Sequence, residues 1–391
     1  MLQARHIRSW QLVMGIASLA ICLAYGQAPR QDRHSLTTPD RLEDAGWWPT
    51  KGDISRTGYV GASTCKECHG KIAIPQETTP MYHAGVRADQ SEILKAQGHF
   101  EFQQAGYRYS LMHAVTGVIY SVTDGANSAA GTVAWAFGAG QIGQTYLLQE
   151  NGSYTEGRLS YYSALGALDI TVGQTADAPL EMSTALGRRM NHDAAQHCFG
   201  CHTTAATTSG VFEPEKATPG LSCEACHGPG AEHIAAIRAQ KFERASAAIM
   251  NPSHLSPSDS VDFCGACHRT WGDVTMRMPA TLGVFSVRFQ PYRLEKSRCW
   301  GKNGDARITC IACHDPHQPL NRESRSYDAK CLACHFAGKP LQRRTASAPA
   351  CKVSTDNCVS CHMPKYEVPQ THATFTDHYI RIVHADAGLP L

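Results

Sequence analysis

Seven times in this chain two cysteines stand three positions apart with a histidine directly after the second. The copies are Cys65-Lys-Glu-Cys68-His69, Cys198-Phe-Gly-Cys201-His202, Cys223-Glu-Ala-Cys226-His227, Cys264-Gly-Ala-Cys267-His268, Cys310-Ile-Ala-Cys313-His314, Cys331-Leu-Ala-Cys334-His335 and Cys358-Val-Ser-Cys361-His362. This spacing supplies two nucleophilic sulfurs one helical turn apart and an imidazole beside them. Paired CxxC elements also build zinc sites or redox dithiols, but neither chemistry calls for a histidine after the second cysteine every time. The pattern is that of c-type haem attachment, in which both thiols add across the haem vinyl groups and the histidine lies under the iron as proximal ligand. The cofactor expected is therefore haem c, covalently bound in seven copies, with His69, His202, His227, His268, His314, His335 and His362 on the irons.

Each iron then needs a sixth ligand or keeps an open face. Of 20 histidines, seven close a motif, and His6 and His34 lie near the start of the chain. The other eleven are enough to make every haem bis-histidine. His83, His233, His317, His372 and His378 are the leading distal ligands. His83 follows the first motif by fourteen residues, room for the chain to turn around a porphyrin, and His233 opens the stretch after the third. His317 is so near His314 that it must serve a neighbouring haem, while His372 and His378 sit in a tail able to lie across several. His113 and His192 form a second group, and His99, His197, His254 and His384 a third. Met81, Met112 and Met363 could also ligate, though apolar packing is the simpler role for each.

The N-terminus reads as an export signal over residues 1–26, with Arg5 and Arg8, an apolar run from Leu12 to Ala24, and Ala24-Tyr25-Gly26 as cleavage site. The run is short for a membrane span; an uncleaved anchor is the alternative. Ile21 ahead of Cys22 is unlike a lipoprotein signal. Export agrees with the haem, which bacteria attach outside the cytoplasm, so a periplasmic or extracellular location is expected, with no integral span after cleavage. Fourteen of the 17 cysteines belong to motifs and Cys22 to the signal, leaving Cys299 and Cys351 as a candidate disulfide. The formal charge of +2 falls to zero without Arg5 and Arg8. Two propionates per haem then make the holoprotein acidic, which disfavours nucleic acid and leaves redox proteins as the expected partners.

The elements that must carry these groups divide the chain. Residues 27–58 are a polar, proline-bearing arm with Trp47 and Trp48. Residues 59–98 hold the first haem unit. From 99 to 175 there is no motif; alternation in His99–Phe102 and Tyr107–Ser110, runs at Val118–Val122 and Val133–Phe137, and Asp124-Gly125 and Asn151-Gly152 turns predict an antiparallel β insertion. Gly138–Gly143 fits GxGxxG, but a strand pattern follows it, so it is read as a turn and not a nucleotide loop. Residues 176–391 form a six-haem domain, with helices expected over Pro179–Met190 and Ala231–Met250. Its linkers, rich in Pro, Gly and Ser, cannot bury much aliphatic side chain, so the haems supply the core. The fold expected is a mostly α and irregular multihaem cytochrome c fold with a small antiparallel β insertion. Motif spacing suggests a pair at motifs two and three and a close trio at the end, joined through the fourth haem.

Several stretches resemble the bacterial multihaem c-type cytochromes with doubled CxxCH motifs, related to the tetrahaem electron carrier of nitrifying bacteria. They are Tyr59-Val60-Gly61, Gly220–Gly230 with its Cys226-His227-Gly228-Pro229-Gly230, Cys313-His314-Asp315-Pro316-His317, and Cys361–Lys365 ahead of Phe375-Thr376-Asp377-His378. The resemblance implies low-potential electron transfer with His83, His233, His317, His372 and His378 as distal ligands. An electron carrier is the leading function. A multihaem oxidoreductase acting on nitrogen or sulfur compounds is the rival; it needs one five-coordinate haem, with His113, Tyr107 or Tyr161 to line its pocket. No motif ends in Lys, which lowers nitrite reduction. A filament with ligands shared between subunits is the third reading. Intact-mass measurement of the exported protein is expected to return seven haem additions; substantially fewer would remove the basis of all three readings.

Overall fold

A β body forms because its strands alternate. In the computed structural model, which describes residues 55–300, 308–335, 351–384 and 388–389, strands run at Gly85–Arg87 (β1), His99–Gln104 (β2), Tyr107–Ala114 (β3), Gly117–Thr123 (β4), Ser128–Phe137 (β5), Gly143–Glu150 (β6), Ser153–Tyr162 (β7), Ala167–Ile170 (β8) and Gly187–Arg189 (β9). β2 to β8 make an antiparallel meander in sequence order that nearly closes on itself; β1 adds to β5 and β9 to β7. On β4 every second residue, Val118, Tyr120 and Val122, is buried, and these pack with Leu111, Tyr146, Leu148 and Leu159 inside the sheet. Such burial is the main favourable term for a half-solvated sheet. Both expected hairpins are present: Asp124 accepts the Ala126 and Asn127 N–H groups, and Asn151 and Gly152 are both left-handed, at φ 49° and 76°. Gly138–Gly143 leads into β6, as the strand pattern after it predicts.

The expectation of a mostly α fold with a small insertion fits only in part. The sheet has nine strands and recruits β1 and β9 from outside 99–175. At three residues each these are too short for alternation to show. Two helical expectations are also corrected. Pro179–Met190 yields only Met182–Leu186, after which the chain turns into β9. Ala231–Met250 breaks into Ala231–Arg238 and Phe242–Ala247, because Gln240 takes a left-handed φ of 56°. The arm up to residue 54, Trp47, Trp48 and the export signal lie outside the described residues.

Around the sheet each motif sits on a short helix: Ala62–Gln76 (α1), His192–His202 (α2), Cys223–His227 (α3), Pro257–His268 (α4), Cys310–Cys313 (α5), Asp328–His335 (α6) and Cys358–His362 (α7). A helix places residues i and i+3 on one face, so both sulfurs point the same way. At the histidine the helix stops, or in α1 kinks, with His69 at φ −104° and ψ 29°. Among the described residues no helix is long and apolar enough to cross a membrane.

Two buried carboxylates tie distant segments together. Glu224, inside the third motif, accepts the backbone N–H groups of Val60, Gly61 and Gly230, each at 2.9 Å. This joins the start of α1 to α3 across more than 160 residues of chain. Nearby, Gly220 at φ 66° lies so close to the Tyr82 carbonyl that any β-carbon would overlap it. At the other end Asp377 takes Arg293 Nε at 2.8 Å and Nη2 at 2.7 Å, and Arg381 Nη1 at 2.7 Å. Burial alone would raise the Asp377 carboxyl; the Arg293 hydrogen bonds, the Tyr379 N–H and Arg381 outweigh it and hold the group below its ordinary range. The stabilisation is therefore complete above the unfolded Asp value of about 3.9 and is lost as pH falls below it. Replacing Glu224 by Ala is expected to lower stability by about 2–3 kcal/mol, since charge-assisted hydrogen bonds are lost and buried N–H groups are orphaned. Thermal unfolding of the holoprotein, with exposed Glu243→Ala as control, checks this.

Candidate haem-ligand sites

Three motif histidines face a second imidazole across a gap. His69 and His233 have ring centroids 6.3 Å apart, His227 and His317 6.0 Å with planes within 10°, and His314 and His378 6.2 Å. Two imidazoles bound on opposite sides of one metal ion, each by a bond of about 2.0 Å, would have centroids about 6.3 Å apart. The separations lie at the wide end of ring contact and equal the spacing that an ion held between the rings would set. Among the described residues no group of three or more His, Cys, Asp or Glu could hold a metal unaided. Paired imidazoles of this kind suit an ion that brings its own in-plane ligands, which is what a porphyrin supplies.

Hydrogen bonds fix which nitrogen faces the gap. Nδ1 donates to a backbone carbonyl in His202 (Ala84, 2.7 Å), His227 (Met250, 2.8 Å), His362 (Arg381, 2.8 Å), His233 (Ala245, 2.8 Å) and His378 (Thr376, 3.0 Å). A carbonyl only accepts, so the proton is on Nδ1 and the Nε2 lone pair is free. Tyr327 Oη plays the acceptor part at 3.5 Å from His314 Nδ1, its own hydrogen going to the Asn321 carbonyl. Burial lowers the pKa of His202, His227 and His314 and pushes His378 down to about 4. All are thus neutral at pH 7, the state that can ligate. The break at Gln240 now has a role: it folds the Phe242–Ala247 helix back so that the Ala245 carbonyl reaches His233.

The other expected ligands are placed differently. His83 is exposed, between α1 and β1, edge-on to Tyr82, and its ring has no polar partner among the described residues. His372 is engaged elsewhere: Nε2 meets Asp169 Oδ2 at 2.8 Å and the ring packs on Tyr162, which ties the tail to β8. His113 lies on β3 with a buried, unpartnered Nε2. His192 is exposed, against Asp193 and Phe212. His197 Nε2 contacts Arg269 at 2.6 Å, His99 bonds Ser110, His254 approaches Asn251, and His384 is exposed. Tyr107 donates to the Pro179 carbonyl and Tyr161 packs on Phe100.

The motifs meet in pairs through their first cysteines. Cys65 lies thiol to thiol with Cys223, Cys264 with Cys310, and Cys331 with Cys358. The third motif's partner is therefore the first and not the second, because Glu224 draws α1 onto α3. Cys201 Sγ reaches the Ala266 carbonyl on α4 at 3.7 Å, and Cys226 packs against the Phe263 and Ala266 cluster. Cys299 and Cys351 are both free thiols. A cavity of about 320 Å³ opens beside Cys267 and His268, with Arg269, Arg288, Met278 and Phe289 around it; sequence reasoning missed both arginines, which no motif marks.

Residues 170–228, covering α2 and α3, match the family model described as "Cytochrome c554 and c-prime". No curated protein matches the chain. A solved structure titled "Crystal Structure of Outer Cell Wall Cytochrome OcwA" superposes with a TM-score of 0.47 at 15% identity, covering 83% of this chain and 80% of that one. The family match and the motifs together support a multihaem c-type cytochrome, and with it covalently bound haem c and electron transfer. Replacing His233, His317 or His378 by Ala is expected to convert one haem per variant from low to high spin. Electron paramagnetic resonance of the oxidised proteins reads this directly, and an unchanged spectrum would exclude the tested histidine as a ligand.

Proposed function

We propose that this protein is an exported heptahaem cytochrome that passes electrons along closely spaced, mostly bis-histidine haems between redox proteins. The observation that carries the reading is the set of three imidazole pairs at 6.0–6.3 Å, each containing a motif histidine. A haem with both axial positions taken by histidine has no free face for substrate, and its work is one-electron exchange. In this reading the fourteen motif cysteines are thioether-bonded. His233, His317 and His378 serve the first, third and fifth haems. His83 is free to serve another haem, and His372 anchors the tail.

The thiol contacts suggest the order of the wire. Motifs one and three form one couple, four and five a second, six and seven a third. The fourth also adjoins the third through Cys226 and the second through Cys201. Cys313 of the fifth neighbours Cys331 of the sixth. The path then runs one–three–four–five–six–seven, with the second haem as a side branch at the fourth. Attachment sites in contact through their thiols would bring neighbouring macrocycles close, which favours exchange without any moving part. The carrier reading predicts that the purified protein, reduced with dithionite, is reoxidised by an added electron acceptor but shows no catalytic turnover of nitrite or hydroxylamine beyond that of free haem. Sustained turnover in a steady-state assay would transfer the case to the oxidoreductase reading.

A further inference from the structure

The fourth motif carries a feature the others lack. Arg269 directly follows His268 and is held left-handed, at φ 71°. Arg288 reaches the same cavity from the segment before Phe289. Neither arginine has a carboxylate partner among the described residues. Arg269 spends one nitrogen on His197 Nε2 at 2.6 Å, and Arg288 Nε is buried with no hydrogen-bond partner at all. Both side chains are half-buried and line one cavity, and two guanidiniums this near each other repel, a repulsion that an anion between them would relieve. Cys267 and His268 line the same cavity, so a macrocycle bonded to these residues would lie beside both arginines. Met278 and Phe289 give it apolar sides.

Building on the heptahaem reading, we infer that Arg269 and Arg288 bind the propionates of the haem held by His268 and make it the highest-potential haem of the chain. The chemistry is local. Carboxylates paired to guanidiniums no longer stabilise the ferric charge, and positive charge near the iron favours the ferrous state. This haem also stands at the junction, next to motifs two, three and five. One electron leaving any of those ferrous neighbours reduces the iron at His268 from ferric to ferrous and leaves the donor ferric. The junction thus acts as a collecting point, where electrons entering by the branch or by the main path come to rest before moving on.

The test is a spectroelectrochemical titration of the intact holoprotein with Arg288→Gln, Arg269→Gln and Arg288→Lys, each checked by mass for haem content. With seven haems retained, the two Gln variants should lower the highest midpoint potential and leave the remaining components in place, while Arg288→Lys keeps most of the wild-type value. If the highest potential stays put in both Gln variants, or if a different component moves, the inference is wrong and the electron-transfer reading stands. Should Arg288→Gln lose a haem, Arg269→Gln and Arg288→Lys decide by the same criterion. Fewer than seven haems in the wild type would instead count against the heptahaem reading itself.

Discussion

The Glu224 carboxylate is the point on which the haem-bearing part turns. It sits between two cysteines of one motif, is 3% exposed, and accepts three backbone N–H groups from two other segments. A buried carboxylate must be hydrogen-bonded nearly to saturation, and here the donors come from the approach to α1 and from the turn after α3. Satisfying one charge therefore brings the first and third motifs into contact. The same turn then points the next helix so that His233 comes up opposite His69. The contact between distant motifs follows from where a single side chain finds its donors.

Asp377 does the same work at the other end. Its two oxygens bridge Arg293 and Arg381, both arginines lie against Tyr379, and the next residue is His378. Arg381 in turn offers its carbonyl to His362. One ion cluster thus orients an imidazole on the fifth motif's side and another on the seventh's. Between the two clusters the sheet contributes a rigid wall: the Ala84 carbonyl beside β1 holds His202, Phe137 of β5 stacks on that ring at 4.8 Å, and Asp169 of β8 holds the tail.

What could be read in the chain was chemistry that is local in sequence. Cys, Cys and His within five residues define an attachment site without any fold, and alternation plus Asn-Gly or Asp-Gly turns defines a hairpin. His233, His317 and His378, singled out by their positions near motifs, each lie within 6.3 Å of a motif imidazole. Their partners were not foreseen, because pairing depends on contacts across long stretches of chain. His372 shows the limit: it has the same residue type, the same tail and the same resemblance as His378, yet an acidic side chain on the sheet engages it. Helix formers from Ala231 to Met250 hid the break at Gln240, which the demand of His233 for an acceptor explains and local propensity does not. The short gap between motifs two and three does not bring their first cysteines together, and Cys223 lies against Cys65 instead, since short linkers limit distance but do not choose a neighbour.

The carbonyl acceptors behind the histidines have a consequence for how such a chain can drift. Five imidazoles take their second contact from main-chain oxygen, supplied by Ala84, Met250, Arg381, Ala245 and Thr376. No single substitution at those positions deletes a carbonyl. Tautomer and ring orientation are thereby insulated from most point changes, and neutral replacement can spread through the linkers without disturbing the ligands. Charged side chains, such as Arg269 and Arg288 at the cavity beside His268, are by contrast removed by one substitution. The protein separates what must not change from what can be tuned.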